Sequence, residues 1–68
     1  MLTENMKIWL YNMYMSEAEE HFAVARHEHL CALGSPTNEI ALIHEMSADE
    51  HRAFALRLVN MAKEFEED

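Results

Sequence analysis

The sequence predicts an all-α fold: an antiparallel helical hairpin, with helices over about 3–33 and 36–66, pairing with a second copy into a homodimeric four-helix bundle. Three observations predict it. The only Gly and the only Pro of the 68 residues fall together in Leu33-Gly34-Ser35-Pro36-Thr37, near the midpoint, where they act as helix punctuation. The two flanking arms of about 30 residues are rich in Ala, Met, Leu, Glu and Arg, which are good helix formers, and hold few β-branched residues. Apolar residues recur with heptad spacing along both arms.

In the first arm Ile8, Tyr11, Met15, Ala18, Phe22, Ala25, His29 and Ala32 form a seam of alternating 3,4 spacing. Gly34 suits the left-handed residue that ends such a helix. Ser35 is placed to cap the next helix, with Pro36 at its first position, where a missing N–H costs nothing. In the second arm Ile40, His44, Ser47, His51, Phe54, Leu58, Met61 and Phe65 form the matching seam. Beside it runs a seven-residue alanine column, Ala41, Ala48, Ala55 and Ala62, and the first arm carries its own in Ala18, Ala25 and Ala32. With a turn centred near residue 35, facing residue numbers total about 70. Phe22 then meets Ala48, and Met15 meets Ala55, so large packs against small. Ser16 with Glu19 and Ser47 with Glu50 match the Ser-x-x-Glu capping box, so a break into four shorter helices competes with two continuous ones. The seams run through both serines, and favour continuity.

A domain of 68 residues buries only about 60% of its unfolded surface, and ordinary stability at this size usually needs a disulfide, a metal or a partner subunit. Cys31 is the only cysteine, which excludes an internal disulfide. That lone thiol, the acid at Glu4 and the lack of a basic leading segment predict a reducing, cytoplasmic setting. No run is apolar enough for a membrane span. Thirteen acids against five Lys and Arg give a net charge of −8, so direct DNA binding is not expected. At 100° per residue Met6, Trp9, Leu10 and Met13 point away from the first seam, which leaves the first 15 residues apolar nearly all round. A second copy is the expected cover. The interface assigned to it, or to another partner, comprises Met6, Trp9, Leu10 and Met13 with the column Ala41, Ala48, Ala55 and Ala62.

Five histidines are present, and each lies beside an acid: Glu20-His21, His27-Glu28-His29, His44-Glu45 and Glu50-His51. His44 and His51 are one heptad apart on the second seam, with His29 on the first. The acid-Glu-His triplet of each arm, Glu19-Glu20-His21 and Asp49-Glu50-His51, lies level across the hairpin in the expected register. That register pairs Glu19 with His51 and His21 with Glu50. Such pairs set helix register as structural polar contacts, or supply ligands for a metal, or form a pH switch that moves the charge from −8 toward −3 as five imidazoles protonate. The metal reading names Glu19, His21, His44, Glu50 and His51, with Zn or Fe as the ion. No serine sits beside a histidine and an acid as a triad, Cys31 lies on the outer face, and a single glycine cannot build a phosphate loop. No enzymatic activity is expected.

Glu17, Ala18, Glu20, His21 and Phe22 on one helix, with Ile43-His44-Glu45 and Glu50-His51-Arg52-Ala53-Phe54 on the other, make residues 10 to 62 resemble one hairpin of the ferritin-like and rubrerythrin-type proteins. The resemblance implies a bundle that holds iron with Glu and His. The positions three before His21, His44 and His51 are Ala18, Ala41 and Ala48, where that family's Glu-x-x-His motif has its acid. The overall plan is also similar to the plasmid copy-control protein Rop, whose helical hairpins pair into a four-helix dimer. The leading expectation is a small acidic adaptor or regulator acting through protein contacts, with its acidic face and Glu64-Phe65-Glu66-Glu67-Asp68 tail suited to a basic protein surface. A metal-binding bundle with a storage or redox role is the alternative.

Overall fold

The computed structural model describes residues 1–66. The chain forms two helices, α1 (Glu4–Leu33) and α2 (Asn38–Lys63), which pack against each other as an antiparallel hairpin. Among the described residues there is no strand, and no helix is long and apolar enough to cross a membrane. Both helices run unbroken through Ser16 and Ser47. Neither capping-box serine starts a helix, because the turn before each is already hydrogen-bonded and no Gly or Pro interrupts it.

Helix ends are set by threonines. Thr3 Oγ1 accepts from the Met6 amide at 3.2 Å, and Thr37 Oγ1 accepts from the Ile40 amide at 3.2 Å. Each satisfies an amide that has no intrahelical partner. Ser35, expected to cap α2, instead donates from its Oγ to the Cys31 carbonyl at 2.7 Å and closes the end of α1. Pro36 then lies just outside α2. Gly34 has φ −94° and ψ 6°, not the left-handed geometry expected of it, and donates its amide to the Leu30 carbonyl at 3.2 Å. The last turn of α2 tightens at Glu64 and Phe65, so the helix stops three residues short of the expected 66. Glu67 and Asp68, the end of the acidic tail, lie outside the described residues.

The alanine columns, not the larger seam residues, occupy the centre of the contact. Ala18, Ala25, Ala32, Ala48, Ala55, Ala62 and Leu58 are the buried apolar residues, and no large side chain is fully buried. Ala18 and Ala55 share one cluster with Leu58, against which Tyr14, Phe22 and Val59 pack. Small therefore meets small along the midline, an arrangement that favours close approach of the two helices. The register explains the difference. His21 with His51, and Glu28 with His44, total 72, and His29 with Glu45 totals 74, so the helices are offset by one to two residues per arm from the expected 70.

Large apolar side chains are left on the flanks. Ile40, Phe54 and Met61 of the expected seam are each 40% or more exposed, as is Ile8. The hairpin measures 52 × 17 × 13 Å with a radius of gyration of 15.7 Å, against about 11 Å for a compact domain of this length.

Candidate functional site

Two helices in contact have two open flanks, and the polar groups sort between them. In an antiparallel pair, the positions rotated to the same hand from each alanine column lie on the same face. One face carries, from the loop outward, Glu28 with His44, His21 with His51, and Tyr14 stacked on Phe65 at 6.0 Å between ring centroids. The opposite face carries His29 with Glu45, and a groove lined by Glu19, Phe22, Ala25, Arg26 and Arg52.

At the centre of the first face, His21 Nδ1 and His51 Nδ1 are 3.0 Å apart, and both residues are half-buried. The rings stack at 5.2 Å and 25°, and the His21 ring also meets Phe54 at 4.7 Å and 52°. A hydrogen bond between two imidazoles needs one Nδ1–H donor and one bare Nδ1 acceptor, so at least one ring carries no proton on Nδ1. Phe54 fixes the ring plane of His21 through an edge-and-face contact.

One heptad nearer the loop, His44 Nδ1 lies 2.5 Å from Glu28 Oε2, with about a third of the His44 side chain and a quarter of the Glu28 side chain exposed. On the other face His29 Nδ1 lies 2.7 Å from Glu45 Oε1, and both side chains are close to half exposed. Exposed pairs of this kind contribute at most about 1 kcal/mol. Their service is to register. No buried polar side-chain atom among the described residues lacks a partner.

The expected site residues are thus divided. His21 and His51 come together, but with each other. Glu19 does not reach His51, because the offset register brings His21 to that level and leaves Glu19 in the groove on the opposite face. Glu50 does not pair with His21 and is exposed. His44 finds Glu28, an acid absent from the expected ligand set, and Glu45 proves to be the partner of His29. Among the described residues no three of the His, Cys, Asp and Glu side chains converge on one point. Cys31 lies 3.6 Å from His27 Nε2, a contact written in the sequence as an i, i+4 spacing.

The expected interface residues divide as well. Met6 and Trp9 are 48% and 64% exposed, and with Asn5 and Leu10 they line a shallow groove on α1. Met13 and Leu10 are half-buried. Ala48, Ala55 and Ala62 are fully buried between α1 and α2, so they belong to the contact within the hairpin and present nothing to another chain. Ala41 is half-buried near the loop. Residues not assigned to the interface, Ile40, Phe54 and Met61, extend the exposed apolar surface along α2 on the same face as Leu10. The signal for them was the same 3,4 spacing, read as an inner seam.

No family model, curated protein or solved structure matches this chain, so the likeness to ferritin-like hairpins rests on the residues quoted for it, and the functional reading rests on geometry.

Proposed function

We propose that the chain works as a homodimeric four-helix bundle, a non-enzymatic adaptor or regulator that acts through protein contacts. The observation that carries this is the imbalance between what the hairpin buries and what it leaves in water. Six of its seven buried apolar residues are alanines, while fifteen large apolar side chains are exposed. A methyl group contributes about 0.8 kcal/mol on burial, against about 1.5–3 kcal/mol for Leu, Ile, Met or Phe, so most of the available hydrophobic free energy is unused in one hairpin.

Area gives the scale. A folded monomer of 8.0 kDa is expected to expose about 4,450 Å², and this hairpin exposes 5306 Å². The excess of about 850 Å² is close to the roughly 800 Å² that each partner buries in a standard protein interface. Much of the exposed apolar surface on the His21–His51 face comes from Met6, Leu10 and Met13 of α1 with Met61 of α2 toward the open end, and from Phe54 and Ile40 of α2 toward the loop, and closing two such faces on each other is a self-complementary, two-fold arrangement. The opposite face keeps Glu19, Arg26, Glu45, Asp49 and Arg52. That charged face, in a chain with a net charge of −8, is the surface left for a basic partner.

The test is an Ile40→Glu variant studied by sedimentation. Ile40 is 40% exposed in the first turn of α2, where an acid is tolerated, so on a lone hairpin the change alters stability by about 1 kcal/mol or less. In the dimer it buries a charge at the contact, and association falls by orders of magnitude. Equal sedimentation of the variant and the wild type would remove this face from the interface.

A further inference from the structure

The geometry points to the His21–His51 pair as half of a four-imidazole site for a divalent transition metal of the Zn²⁺ class, completed by the same pair of a second copy. This rests on the dimeric reading above. Two nitrogens bound to one Zn²⁺ at about 2.0–2.1 Å stand about 3.3 Å apart in a tetrahedral site. The two Nδ1 atoms already stand 3.0 Å apart, on different helices, with neither engaged by a carboxylate. An opening of about 0.3 Å and a turn of each ring about its outer side-chain bond directs both lone pairs at one ion. His44 and His29 differ here, because Glu28 and Glu45 occupy their Nδ1 atoms.

Position along the hairpin supplies the other two ligands. His51 is at the centre of α2 (Asn38–Lys63), and His21 is within three residues, about 4 Å, of the centre of α1 (Glu4–Leu33). Two copies closing the apolar face have two ways to keep two-fold symmetry over their full length. Their loops lie at the same end, with every level facing its own copy, or at opposite ends, with only the middle facing itself. A pair at the middle meets its counterpart in both. The pair also lies on the face with Phe54, which is 46% exposed and touches His21, so the face that needs cover is the face that carries the nitrogens.

The donor set selects the metal. Four neutral imidazoles suit Zn²⁺, Co²⁺, Ni²⁺ or Cu²⁺ and are poor ligands for Mg²⁺ or Ca²⁺, which take oxygen. Two positive charges held by neutral ligands are compensated by the acidic chain, which includes Glu17 one helical turn before His21. The site has no open position once four nitrogens are bound, so its role is structural: it ties the two hairpins together at the middle.

The experiment titrates chelator-treated, untagged full-length protein with Co²⁺ and then Zn²⁺, following visible absorption, thermal unfolding and sedimentation. The expected result is one ion per two chains, with the intense visible bands of four-coordinate Co²⁺ bleached by Zn²⁺. At saturating Zn²⁺ the unfolding midpoint rises by roughly 10 °C. His21→Gln and His51→Leu each weaken binding by about a hundredfold or more, since the loss of an outer-shell partner alone costs 10–100-fold. His27→Ala leaves it unchanged. A dimer that takes up no ion, or whose uptake survives both substitutions, overturns the site and leaves the dimer standing. One ion bound per chain overturns the shared site. A monomer with and without metal removes the dimeric reading, and the site with it.

Discussion

His21 and His51 sit where a bundle core usually carries apolar residues, and their 3.0 Å contact keeps both Nδ1 atoms satisfied within the hairpin. Replacing both members of a polar pair by well-packed apolar groups is often neutral or stabilising. His51→Leu removes only one member, but the half-exposed His21 Nδ1 takes water in place of its partner, so the metal-free unfolding midpoint is kept or raised. A loss of more than about 2 kcal/mol in urea titration would show that the pair stabilises the fold itself. At the alanine midline the expectation reverses. Ala55 is fully buried against the facing helix, and Ala55→Leu inserts three carbons where none fit, at a cost of about 1–3 kcal/mol by the same titration. His51 was legible as a seam residue and His21 only as a member of a level triplet, and the partner of neither was legible. Partner choice turns on a register offset of one to two residues per arm, and hydrophobic period alone does not fix register that closely.

At the scale of the helices, the turn tests how the hairpin closes. Gly34 has an ordinary negative φ, and a Cβ placed there meets the Leu30 carbonyl oxygen at 3.8 Å, an unstrained contact. Gly34→Ala is therefore expected to stabilise the protein by about 0.4–1 kcal/mol, chiefly by reducing the freedom of the unfolded chain. Destabilisation would mean that this residue needs the left-handed conformation after all. Thr37→Ala removes the acceptor for the Ile40 amide and costs about 1 kcal/mol, while Thr37→Ser retains most of it. Calorimetry on both variants checks the cap. Two helices and their turn could be read from the single Gly-Ser-Pro cluster and the heptads. Which hydroxyl capped which end could not, because Ser35 and Thr37 both suit a cap, and the choice depends on the path of the loop.

For the whole molecule, the alanine columns explain both what folds and what remains incomplete. They let α1 and α2 approach closely, and for that reason they bury little apolar area and push Ile40, Phe54 and Met61 to the flank. Ala48, Ala55 and Ala62, expected at a contact with another chain, are buried against the chain's own other arm, because a column of small residues is best used where two backbones meet and that arm is the nearest backbone. The sequence identified an uncovered apolar surface at Met6 to Met13, and α2 extends it over the length of the hairpin. The face with Phe54 also carries the Glu28–His44 pair, while the opposite face carries Glu19, Arg26 and Arg52 with the His29–Glu45 pair, so the two sides of the hairpin differ in what they can bind.

The central claim is that one hairpin is half of a folded unit, and sedimentation equilibrium of the wild-type chain over a range of concentrations tests it most directly. The account predicts a mass of about 16 kDa, twice the 8.0 kDa of one chain, with an unfolding midpoint that rises as the protein is concentrated. A helical, cooperatively unfolding species of 8.0 kDa, with a midpoint independent of concentration, would contradict it.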